Sequence, residues 1–210
     1  MSLMTGFAIL VGEAVIGFWK KVHAINFGVY GATMVGKTTL SHQLRTRGEV
    51  QQIKERTIGR ERASRKTIKI DGDIHTIKTS DVGGESLYWG EWLQDMKNRH
   101  VKYIIFMIDD RHLAKHIDIE QQLCWKFLVD SIVSPYWDMI NKRQKKKRKD
   151  YPIAVGIWAN KFDLWKDKYP YDDIMKHPIF DIFQDGIQRL NDKGIPTYRY
   201  VVSAKSDSEM

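Results

Sequence analysis

The sequence predicts an α/β domain with a mostly parallel six-stranded sheet and helices on both faces. Three observations predict it. First, residues 24–30 (Ala24-Ile25-Asn26-Phe27-Gly28-Val29-Tyr30) are apolar enough for a buried strand, and a glycine-containing turn and a helix-forming stretch from Thr39 to Leu44 follow. Second, apolar runs at 101–108, 152–159 and 197–202 alternate with segments of helical length, as a parallel sheet requires. Third, two alternating segments flank Asp71-Gly72, the dipeptide that favours a tight hairpin.

Bulk properties set the frame. The chain has 210 residues, 42% apolar and 29% charged. That is one domain of ordinary size, able to bury about 70% of its unfolded surface. We divide it into an apolar N-terminal helical segment, 1–22, and a single domain, 23–210. Its single cysteine, Cys124, excludes a disulfide framework and a cysteine-rich zinc site, and its apolar neighbours predict a packed thiol. A cytoplasmic protein is expected. Net charge is +8, but seven basic residues fall within Lys142 to Lys149, and without them the chain is nearly neutral.

In chain order, residues 3–19 are apolar, broken only by Glu13 and three glycines. The run is short for a membrane span and lacks the marks of a signal peptide. Two readings stand: a helix packed on the domain, or an interfacial anchor with Phe7, Leu10, Val11, Ala14 and Phe18 on one face. Arg45 to Arg62 is polar without a clear period and reads as a connection. The hairpin runs into Asp81-Val82-Gly83-Gly84-Glu85, and residues 86–100 read as a helix or ordered loop. The strand at 101–108 ends at Asp109-Asp110. A long helix is expected over 113–141, interrupted near Pro135. His112 and His116 share a helix face but lack a third ligand, so they read as surface histidines. The basic loop 142–149 reads as a solvated connection, with anionic lipid or nucleic acid as the alternative contact. Another helical segment is expected over 171–191.

The chemistry begins at Gly31-Ala32-Thr33-Met34-Val35-Gly36-Lys37-Thr38, which reads G-x-x-x-x-G-K-T. Between strand and helix, such a loop lets backbone N–H groups from Thr33 to Thr39 ring a phosphate, aided by the positive end of the helix dipole. Lys37 is expected to reach the β- and γ-phosphates, and Thr38 to ligate Mg²⁺. Asp81, at a strand end, can hold Mg²⁺ through water, and Gly84 can turn an N–H toward a γ-phosphate. Asn160-Lys161-Phe162-Asp163 follows a strand, as a base-reading loop should. The Asp163 carboxylate can accept from both N1–H and N2–H₂ of guanine, a donor pair adenine lacks, and so selects the base. Lys161 is expected along the base plane, and Asn160 between the loops. Ser203-Ala204-Lys205 follows the last strand and can offer a backbone N–H to guanine O6. Each short motif is weak alone; in this order, each at a strand end, they are specific.

With these residues in place, the sequence resembles the Ras-like small GTPases over residues 24–205. The Asp81-Val82-Gly83-Gly84 segment followed by Trp89 is most similar to the Arf/Sar branch, whereas Arg65-Lys66 leading to Ile70-Asp71-Gly72 is closer to the Ras and Rab pattern, and the branch stays open. The resemblance implies a P-loop small G-domain, GTP and GDP as ligands, Mg²⁺ as cofactor, and a switch that hydrolyses GTP. It implies effectors and activating or exchange proteins as partners. It also implies a first-switch threonine on the metal, and Thr57, twenty positions after Lys37, matches best.

Two departures follow. Family members usually carry glutamine after the second glycine of the Asp81 motif, where it orients the attacking water. Here the residue is Glu85, a carboxylate that repels a γ-phosphate and donates no N–H. Slow unassisted hydrolysis is therefore expected, with Lys37, Gly84 and Glu85 as the catalytic set. The alternative is a non-catalytic, GTP-dependent binding module recruited to a membrane or a protein complex. The family also ends in a long helix, and five residues after Lys205 cannot form it. Either the sequence is cut short of its natural end, or the expected fold lacks its terminal helix and another segment covers that face of the sheet, the apolar segment 5–19 being the substitute or a membrane contact. Nucleic acid is not an expected partner.

Overall fold

The computed structural model of the protein describes residues 24–46, 64–70, 73–79, 82–113, 119–138, 152–169, 173 and 176–203. The N-terminal segment 1–22, Thr57, Asp81, His116, the basic loop 142–149, Ala204 and Lys205 lie outside the described residues.

Six strands form one sheet: β1 Ala24–Gly31, β2 Ser64–Ile70, β3 Asp73–Thr79, β4 Tyr103–Ile108, β5 Ala154–Ala159 and β6 Thr197–Val201. Their spatial order is β2-β3-β1-β4-β5-β6. Only the β2–β3 hairpin is antiparallel, and β1 pairs in parallel with both β3 and β4. β4, β5 and β6 continue in parallel, with Phe106 opposite Ile157 and Ile157 opposite Arg199. Every residue of β4 and β5 is buried, as for central strands covered on both faces.

Among the described residues, four helices exceed two turns: α1 Lys37–Thr46, α2 Trp89–Arg99, α3 Glu120–Val133 and α4 Gln184–Asp192. Crossovers between parallel strands are right-handed. The chain moves one way along the sheet from β1 to β3 and the other way from β3 to β4, β5 and β6. Right-handedness then puts α1 on one face and α2, α3 and α4 on the other. Aromatic side chains fill the layer under the three helices. Tyr30 of β1 stacks on Trp92 of α2, with centroids 5.5 Å apart. Phe106 of β4 meets Trp125 of α3 at 5.0 Å and Phe183 at 6.2 Å.

A buried polar knot ties α2 to β1. Tyr30 Oη donates to Asp95 Oδ2 at 2.8 Å, and Arg99 donates to the same carboxylate through Nε at 2.8 Å and Nη2 at 2.5 Å. Arg99 also reaches the Phe27 carbonyl at 3.2 Å, and Asn26 donates to the Arg99 carbonyl. Burial, and then the Asp95 charge, push the Tyr30 phenol well above its ordinary range, so it remains a donor.

The elements differ from the sequence expectations at three places. The helix expected from 113 begins at Glu120, and residues 110–113 form a 3₁₀ turn instead. Its break near Pro135 is present: Ser134 is extended (ψ 147°), as the residue before proline prefers. The helix expected over 171–191 is interrupted at His177, which is extended and accepts from Ile179 N–H at 3.0 Å, and beyond it a 3₁₀ segment Pro178–Phe183 leads into α4. His112 is not a surface histidine. Its Nε2 lies 3.0 Å from Ile179 O and its ring meets Phe183 edge-on at 5.4 Å.

Candidate nucleotide site

Among the described residues, the predicted site residues Gly31 to Thr39, Gly84, Glu85, Asn160, Lys161, Asp163 and Ser203 follow the carboxyl ends of strands of the sheet, where open α/β sheets place their ligands. β1 ends at Gly31, and the loop 32–36 leads into α1, which starts at Lys37 rather than at Thr39. An α-helix cannot satisfy the N–H groups of its first turn internally, so the loop and this turn offer donors to an anion. Lys37 is only 6% exposed, and its Nζ donates to Ala32 O at 2.6 Å, which folds the ammonium back over the loop. Thr38 and Thr39 are partly buried behind it. Met34 occupies the left-handed region (φ 63°) and is 64% exposed, at the outer lip of the loop.

Asn160 follows β5 and is buried; its Nδ2 donates to Val35 O at 2.8 Å. This contact explains Gly36, which has φ 95° and would drive any Cβ into the Asn160 amide. Lys161 is left-handed (φ 60°) and opens a single helical turn, Phe162–Trp165. Asp163 accepts a hydrogen bond from Ser203 Oγ, which joins the loop after β5 to the loop after β6. Phe162 N–H donates to Val202 O at 3.2 Å across the same junction.

The segment after β3 closes the other side. A Cβ on Gly84 would stand about 2.6 Å from Thr33 N, so only glycine allows this approach to the phosphate loop. Two indoles fix the segment from behind: Trp92 Nε1 donates to Gly83 O and Trp89 Nε1 to Gly84 O, both at 2.9 Å. Cys124 lies buried beneath, with Sγ 3.9 Å from Gly84 O. Glu85 is extended (ψ 150°) and exposed.

The structure adds residues that the motifs did not mark. Asp109, at the end of β4, is fully buried and receives Lys161 Nζ at 2.7 Å, Arg111 Nε at 2.8 Å and Gln121 Nε2 at 2.9 Å. Burial alone raises its pKa, but Lys161 and Arg111 outweigh burial and hold the carboxyl below its ordinary 3.8. Arg111 Nη2 continues to Thr33 O at 2.6 Å, and Glu120 of α3 accepts from Thr33 N at 3.0 Å and Thr33 Oγ1 at 2.8 Å. The only hint in the sequence was position: Asp109-Asp110 ends a buried strand at the same sheet edge as the motifs.

The residues present fit a nucleotide phosphate. The loop has a glycine where a side chain would block Asn160, a buried ammonium, and a helix start behind it. For Mg²⁺, Thr38 is placed at the helix start, whereas Thr57 and Asp81 lie outside the described residues. Among the described residues there is no group of three His, Cys, Asp or Glu side chains that could hold a metal alone. A Mg²⁺ shared with phosphate oxygens and waters does not need one.

No protein-family model matches the sequence, and no curated protein does. Among solved structures, the chain is similar to the Arl6 BBS3 small GTPase from Trypanosoma brucei, described with the bound nucleotide analogue GppNp. The two are 15% identical, the alignment covers 86% of this chain and 87% of the other, and the TM-score is 0.56. The α/β architecture, with the parallel sheet expected from the sequence, is thus similar in fold to that solved structure. Among the described residues no helix is long and apolar enough to cross a membrane.

Proposed function

We propose that this chain is a guanine-nucleotide-binding switch that uses Mg²⁺ and hydrolyses GTP slowly without a partner. The observation that carries the reading is the joining of the loops at one sheet edge. Asn160 bonds the phosphate loop at Val35, Asp163 bonds Ser203, and Gly84 packs on Thr33. These contacts support a reading in which a phosphate cradle, a carboxylate that distinguishes guanine and a glycine at the phosphate end serve one nucleotide.

In this reading Gly31 to Thr39 hold phosphates, with Lys37 over the β- and γ-groups. Thr38, with Thr57 and Asp81, holds Mg²⁺, which would neutralise the charge on the phosphate oxygens. Asp163 accepts two hydrogen bonds from guanine, Lys161 lies along the base, and the Ala204 N–H serves O6. Gly84 donates its N–H to the γ-phosphate. The Arl6 structure's bound GppNp supports a guanine nucleotide as ligand.

Base choice tests the reading. Asp163→Asn is expected to weaken GTP binding by about 3 kcal/mol, because an amide cannot accept both guanine donors. Xanthosine triphosphate, with an oxygen in place of the guanine amino group, should bind better. Competition of GTP, ATP and xanthosine triphosphate against a fluorescent nucleotide measures both changes. Unchanged GTP affinity in the variant removes Asp163 from the base site.

A second reading, a binding module without turnover, draws on Glu85, which is exposed and carries a carboxylate where an amide is expected. Single-turnover hydrolysis of GTP, with and without cell extract, separates the two. A rate near 10⁻³ per second or below without extract, accelerated by it, is expected of the switch, on the scale of unassisted Ras-type enzymes.

A further inference from the structure

Thr33, the third residue of the phosphate loop, is gripped by two side chains, one from the 3₁₀ turn after β4 and one from the first turn of α3. Arg111 donates to its carbonyl at 2.6 Å, and Glu120 accepts from its N–H at 3.0 Å and its hydroxyl at 2.8 Å. Arg111 is itself anchored on Asp109, through Nε to both carboxylate oxygens at 2.8 and 3.0 Å. A loop that binds phosphate does so with its backbone N–H groups. Here one such donor is taken by a carboxylate of the chain's own α3. That carboxylate sits on the residue against which Gly84 packs.

We propose that Glu120 is a specificity-determining residue that sets the balance between di- and triphosphate, placing its charge on Thr33 so that GDP is favoured. The inference rests on the guanine-nucleotide reading above, in which Gly84 marks the γ-phosphate end of the site. GTP and GDP share every group except the third phosphate. A fixed negative charge at that end therefore acts on their difference and leaves their common affinity nearly untouched. Arg111, bonded to the carbonyl of the same residue, offsets part of the charge. The net effect expected is about tenfold in the affinity ratio, as for a unit charge several ångströms away at intermediate dielectric.

The test uses the full chain at fixed Mg²⁺. Calorimetry gives the affinities of GDP and of GppNp for the unmodified protein, Glu120→Gln and Glu120→Lys. Glutamine can still accept from Thr33 but carries no charge. It should raise the GppNp-to-GDP affinity ratio about tenfold, and lysine, by reversing the charge, should raise it further. The gap between the unmodified and Gln proteins should narrow as ionic strength increases, which a mere brace of the loop does not produce. Either variant that folds decides the matter, with its thermal unfolding in the absence of nucleotide as the check. Equal weakening of both ligands reduces Glu120 to a brace and overturns the proposal, as does an unchanged ratio. If the unmodified chain binds neither nucleotide, the guanine-nucleotide reading falls first and this inference falls with it.

Discussion

Asp109 shows how one buried carboxylate can organise a site. It draws Lys161, Arg111 and Gln121 together at the end of β4, and through Arg111 it reaches Thr33. Lys161 and Arg111 are 31% and 34% exposed, so part of their attraction is screened by water. Asp109→Asn leaves two cations facing an amide and is expected to cost about 2 kcal/mol, below the range for a fully buried pair. The sign with pH follows from the direction of its shift. A carboxyl held below its ordinary 3.8 stabilises the fold fully above that value, and the contribution is lost as pH falls through the lower folded-state value. Urea unfolding of the two proteins from pH 7 to pH 3 should therefore show their stabilities converging below about pH 4. A constant difference across that range would show that the Asp109 charge contributes nothing to stability.

At the scale of elements, α2 holds the Gly83-Gly84 segment in place. Its first turns present Trp89 and Trp92, and each indole N–H takes one glycine carbonyl. The far end of α2 is locked to β1 by the Asp95–Arg99 pair and Tyr30. The segment that touches the phosphate loop is thus carried by a helix fixed at both ends to the strand leading into that loop. Trp92 is fully buried, so Trp92→Phe removes ring volume and leaves the Gly83 carbonyl without the indole donor. The expected cost is about 2–3 kcal/mol, from the lost hydrogen bond and the space left behind. Chemical denaturation measures it. A loss under 0.5 kcal/mol, the size of a neutral surface change, would mean the carbonyl is satisfied another way.

At the scale of the molecule, the helices among the described residues cover the two faces of the sheet unequally. Among the described residues α2, α3 and α4 lie on one face and α1 alone on the other. Ile105, Met107 and Trp158, which alternate toward the α1 face, are nonetheless buried. The sequence offers one other apolar stretch of helical length, residues 5–19, which lies outside the described residues. Our expectation is that deleting residues 1–20 lowers the unfolding temperature by about 4 °C or more, the shift that roughly 1–2 kcal/mol produces in a domain this size. Liposome flotation should be unaffected. Loss of flotation with stability intact would assign the segment to a membrane surface instead, and no change in either would make it a passive tail.

The sequence by itself determined the sheet and the places of the loops that follow its strands. Alternation of apolar runs with helical segments, the Asp71-Gly72 signal and the G-x-x-x-x-G-K-T spacing are local patterns, and local patterns survive without neighbours. Helix starts were less legible. His112, for example, is turned inward by Ile179 and Phe183, a contact that local propensity does not reveal. Only the tertiary structure decided the wiring between motifs. Asp109, Glu120 and the indoles of Trp89 and Trp92 are ordinary residues in sequence; they matter because the parallel strands end side by side. Contacts between residues 52 and 87 positions apart, such as Asp109 with Lys161 and Glu120 with Thr33, carry no signal in a single sequence. Spacing along the chain can name a phosphate loop, but the charge set beside that loop depends on how the sheet brings distant segments together.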